Sequence, residues 1–146
     1  MATAIDVTKA EGIIAHTFND KDMASLALTA PGAVVPGAVH SPDGNRGLAL
    51  LGISVLETIA LTHWHASGGD RSLAQQTVSR VTGGSFLADI AQQTGLDVCI
   101  AVNNSQQGVV PSPTLLKSTV AALIGAVWRD SNRSYTVVEA VMTHLQ

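Results

Sequence analysis

From Leu48 to Leu61 the chain is apolar apart from Gly52, Ser54, Glu57 and Thr58. Such a run has no continuous polar face to turn toward water, and it lacks the strict alternation of a half-buried strand. It is therefore expected to be a helix, from about Arg46 to His65, lying at the centre of a helical domain. Asp43 and Asn45 stand before it as cap-type residues, and Gly68-Gly69 follow it as a stop. The apolar stretch falls short of the roughly 20 residues that span a bilayer. A buried core helix, with no membrane partner, is the expectation.

Thr114 to Trp128 is a second run that is apolar all round. Val7 to His16 and Met23 to Leu28 make two short helices, with Asn19-Asp20 as a natural cap between them. Leu73 to Val81 makes another, Gly83-Gly84 breaks it, Ser85 caps a helix that begins at Phe86, and Gly95 stops that one. Asp130 to Asn132 form a turn before a last amphipathic helix, Tyr135 to Leu145. Pro31 to Gly44 and Asn103 to Pro113 carry the prolines and glycines of loops. No pair of runs alternates as strands around a hairpin turn. The predicted class is all-α, in a single domain over 1–146.

Charged residues make up only 13% of the chain against 46% hydrophobic, about half the usual charged share. Much of the surface is then apolar or turned toward a partner, and oligomerisation is the default. Eight Lys and Arg against eleven Asp and Glu give a net charge of −3 with no basic run. That argues against strong phosphate-driven binding. Cys99, the single cysteine, reads as a buried small hydrophobe in a reducing compartment. The opening Met-Ala-Thr-Ala-Ile-Asp has no apolar core of a signal, and no Arg precedes Arg46. The expected location is intracellular, cytoplasmic or nuclear.

The segment Asn45 to Glu57 resembles the ribonuclease III signature helix, Asn-Glu-Arg-Leu-Glu-Phe-Leu-Gly-Asp-Ser-Val-Leu-Glu. It agrees at Asn45, Leu48, Leu51, Gly52, Ser54, Val55, Leu56 and Glu57. Phe18-Asn19-Asp20 and Leu26-Ala27-Leu28-Thr29 are similar to the family's Phe-x-Asp and Ala-Leu-Thr-His elements, although Ala30 replaces the histidine. Ala122-Leu123-Ile124-Gly125-Ala126 followed by Asp130 resembles its Glu-Ala-Leu-Ile-Gly-Ala-x-x-x-Asp element. The order along the chain is preserved. The resemblance implies the ribonuclease III helical fold in a stand-alone member, without the RNA-binding module that usually follows it in bacterial relatives.

Active members of that family cut double-stranded RNA with Mg²⁺ held by carboxylates of two facing helices, a chemistry that needs hard oxygen ligands. Carried onto this chain, those positions are Ala49, Ile53, Ser118 and Ala121, and a further family Glu falls on Arg46. The spacings i,i+4 and i,i+3 put each pair on one helical face. The resulting expectation is a catalytically degenerate pseudoenzyme, not an enzyme, with no catalytic residue, metal or cofactor. Glu57 continues the 49, 53 stripe and reads as a structural hydrogen bond or ion pair. His63 and His65 flank Trp64 but diverge on a helix. Ser54 and Ser118 have no recognisable base.

The family dimerises through its signature helix, which implies an interface at Gly47, Leu50 and Leu51, Leu50 taking the place of a bulky aromatic plug. The expected partner is a second copy, or another ribonuclease III-family protein. Duplex RNA is expected to bind weakly or not at all, Arg46 being its best single phosphate contact. The leading expectation is a dimeric scaffold or regulator linked to double-stranded RNA processing. The alternatives are a structural ribosome-associated protein of the same fold and an enzyme with chemistry relocated to His63, His65 or Glu57.

Overall fold

The computed structural model describes residues 5–33, 42–102 and 111–146, and among them every regular element is helical. The helices are α1 (Val7–Ile14), α2 (Lys21–Ala27), α3 (Arg46–Ala66), α4 (Ala74–Thr82), α5 (Phe86–Thr94), α6 (Pro113–Asp130) and α7 (Tyr135–Leu145), with short 3-10 turns at Arg71–Leu73 and Leu96–Cys99. The all-α expectation holds. Each loop expected around 31–44 and 103–113 falls partly on 34–41 or 103–110, outside the described residues. Capping explains several boundaries. Asp6, Asp20, Ser112 and Ser134 each accept a backbone N–H from the first turn of α1, α2, α6 and α7, and Pro113 takes the first position of α6.

α6 is the axis of the domain: Thr119 through Val127 are all buried. Across it lies α3, and the two backbones touch. A Cβ on Gly52 would stand 1.7 Å from the Ala121 carbonyl oxygen, and one on Gly125 would stand 2.3 Å from that of Leu48. No side chain fits at either place, so both helices need glycine at the crossing. α2 and α5 also pack on α6, α4 on α3, and α1 on α7. Residues from Ala10 to Leu145 share one hydrophobic core.

Three local expectations are corrected. Asn45 occupies the N-cap position of α3 but caps nothing; its fully buried side chain donates to the Ala27 carbonyl at 3.0 Å and to Thr119 Oγ1 at 3.2 Å. Its amide thus ties α3 to α2 and α6. Ser85 precedes α5, yet its hydroxyl reaches the Asp89 carboxylate at 3.0 Å instead of the backbone. Finally, α3 is longer than the apolar stretch alone, and at 21 residues with mean hydropathy 1.4 it has the length and composition of a membrane span. Packing against α6 accounts for part of that apolar character, since Leu48, Ala49, Gly52, Val55, Leu56, Ile59 and Ala60 are buried, a third of the apolar window.

Candidate functional site

Beside the glycine crossing, α3 and α6 diverge enough to leave a pocket of about 300 Å³. The four positions taken from the resemblance meet there. Ala49 and Ile53 come from α3, Ser118 and Ala121 from α6, and Arg46, Leu50 and Lys117 complete the lining. The helical spacings and the Gly52–Gly125 contact together bring these residues onto facing surfaces. Lys117 was not anticipated, although it lies four residues before Ala121 and so shares its face.

The pocket has an apolar floor and two cations, with Ser118 as its only neutral hydroxyl. Mg²⁺ takes hard oxygen ligands, preferably carboxylates, in an octahedral arrangement. These residues do not fit it, and Arg46 and Lys117 would repel it. Among the described residues no three His, Cys, Asp or Glu side chains come together as a metal site.

The remaining candidates lie apart from this pocket. Glu57 does not line it and makes no hydrogen bond or ion pair among the described residues, so the expected structural partner is not found. α3 continues through both histidines, as their divergence requires. The His63 ring nitrogen meets the Glu139 carboxylate, which also accepts from the Tyr135 hydroxyl at 3.2 Å. The His63 contact holds the Glu139 carboxyl below its ordinary range, and burial raises the Tyr135 phenol. This trio joins the end of α3 to α7. His65 is exposed beside Trp64. Ser54 is exposed on α3, away from the pocket. Cys99 is fully buried, which pushes its thiol up and suits a packing role.

The proposed dimer residues lie on the outer side of α3. Leu50 is 74% exposed, Gly47 is exposed with open space where a Cβ would stand, and Leu51 is half-buried. Ser54, Thr58 and Leu61 extend the same exposed strip at helical spacing.

No protein-family model matches the chain. It is similar to Ribonuclease 3 of Buchnera aphidicola subsp. Acyrthosiphon pisum, at 30% identity over 141 residues, covering 92% of this chain and 58% of that protein. Ribonuclease 3 of Buchnera aphidicola subsp. Baizongia pistaciae is 32% identical over 133 residues, covering 86% and 54%. The chain thus spans little more than half the length of these relatives. Among solved structures, the nuclease domain of ribonuclease III from Campylobacter jejuni superposes with a TM-score of 0.80 at 19% identity, over 96% of this chain and 95% of that one. That structure is described as flexible in a region involved in dimer formation. A second structure of the same domain gives 0.79 at 19% identity, over 96% and 92%. The helical fold is that of these nuclease domains. The relatives overturn one expectation. A chain read as not an enzyme aligns, along nearly all its length, with proteins named for an enzyme. The pocket's poor fit to Mg²⁺ describes the pocket alone.

Proposed function

We propose that the chain is a member of the ribonuclease III domain family and that it acts in double-stranded RNA processing as a paired domain, two copies joined along the outer face of α3. The observation that carries this reading is Leu50, a large aliphatic side chain left 74% exposed on the face of α3 that turns away from the core. Leu61 lies exposed on the same face, and a two-fold interface would cover both side chains with their own copies. The dimer-forming region described for the Campylobacter jejuni domain supports the pairing. Arg46, 67% exposed at the start of α3 and only loosely paired with Asp43 at 3.8 Å, is the cation we assign to an RNA phosphate. We place this work in the cytoplasm. The relatives are proteins of Buchnera aphidicola, a bacterium, and a nuclear setting has no support.

Light scattering should report about twice 15.1 kDa, and Leu50→Asp should halve it, since burying a carboxylate at the interface without a partner costs several kcal/mol. At low salt the wild type should retard a long RNA duplex in a gel and the monomeric variant should not. A wild-type monomer at micromolar concentration sinks the pairing. Equal retardation by both proteins sinks the link between pairing and RNA.

A further inference from the structure

We infer that the pocket between α3 and α6 binds a small amphipathic monoanion, a carboxylate carried on an apolar body of several carbons. Its volume, about 300 Å³, is at the lower end of the range for small-molecule sites. The lining divides into two parts. Ala49, Ile53 and Ala121 form an apolar floor with the exposed Leu50 at its edge, and this surface can only gain by covering hydrocarbon. Arg46 from α3 and Lys117 from α6 contribute positive charge and Ser118 adds a hydroxyl donor; no carboxylate lines the pocket, and Asp43, outside the lining, pairs with Arg46 only loosely at 3.8 Å. A bare inorganic anion would satisfy the cations and leave the floor wet. A neutral hydrocarbon would do the reverse. Only a ligand with both parts matches the whole lining.

Isothermal titration of the purified full chain with butyrate, hexanoate and octanoate tests this, with inorganic phosphate, 1-octanol and Mg²⁺ as controls. Affinity should rise about fourfold per added methylene until the floor is covered. Octanoate should bind with one site per chain, at least tenfold tighter than phosphate or octanol. Lys117→Ala and Arg46→Ala should each weaken octanoate about threefold or more, and Lys117→Glu further still. These cations lie at the rim, so the variants should melt like wild type, and Ile53→Phe, which fills the floor, gives an independent loss. Phosphate binding as tightly as octanoate, octanol matching it, or octanoate affinity unmoved by the cation variants would each overturn the inference. So would the absence of octanoate binding, or binding of Mg²⁺ at this pocket.

Discussion

The Asp130 carboxylate accepts from His16 Nε2 at 2.9 Å and from the backbone N–H groups of Asn19 at 3.1 Å and Asp20 at 2.8 Å. Facing a carboxylate, that ring nitrogen must carry a proton. Burial by itself would raise the Asp130 carboxyl, but the Asp20 N–H, the His16 ring and the Asn19 N–H outweigh it and hold the group below its ordinary range. Because the folded value lies below the unfolded one, the stabilisation is fully present above the unfolded value, near pH 4. It is lost as pH falls through the lower, folded value. Glu11, held low chiefly by Lys21 and then by the Phe18 N–H, adds to the same acid-side loss. Asp130→Asn should cost about 2–3 kcal/mol at neutral pH, as a charged acceptor of several hydrogen bonds is replaced by an amide whose NH₂ faces donors. Thermal melts of wild type and variant should converge as pH drops from 6 toward 3; a constant gap would show that the clamp is not ionic. From sequence Asp130 read as a turn residue. Its partners lie more than a hundred positions away, and no local pattern signals a contact that only the folded chain makes.

At the scale of elements, α3, α6 and α7 were legible because each combines a long apolar pattern with punctuation at its ends. The Asn45 amide was not, because the same residue type caps a helix or turns inward according to what the fold sets beside it. The α3–α6 crossing shows how far sequence can go: Gly52 and Gly125 stood in the family motifs, but their backbone contact appears only once the helices are in place. Gly52→Ala should cost about 3 kcal/mol or more, since the added methyl meets a carbonyl oxygen of a packed helix that cannot yield. Urea unfolding checks this, with Gly12→Ala as control, its Cβ site being open. The site positions allow a second test. Ala49→Glu, Ile53→Asp, Ser118→Asp and Ala121→Glu together should destabilise the chain in EDTA by several kcal/mol, because crowded, partly buried carboxylates repel one another. Mg²⁺ should restore part of that loss by binding the folded state. A quadruple variant that melts like wild type and ignores Mg²⁺ would show that these four positions do not converge on one site.

For the whole molecule, sequence indicated an all-α core and an apolar surplus, and among the described residues the large exposed apolar side chains are Leu50 and Leu61 on α3, Leu73 and Val98. What composition could not show is where the few charges meet: Arg46 and Lys117 are 71 positions apart, yet they share one pocket. Their scarcity decides the character of any RNA contact. A chain of net charge −3 with eight scattered basic residues can neutralise few phosphates, about two to four across a pair of copies that offers Arg46 twice with a neighbour or two. The logarithm of duplex affinity plotted against the logarithm of salt concentration should then have a slope between about −2 and −4, and binding should be largely gone at physiological salt. Arg46→Ala should flatten the slope by about 2 units if each copy in the pair makes one such contact. Filter binding of a long duplex between about 25 and 200 mM salt measures both quantities. Nanomolar affinity that persists at the upper end, or a slope that Arg46→Ala leaves unchanged, would mean that the duplex is held by residues other than those at the head of α3.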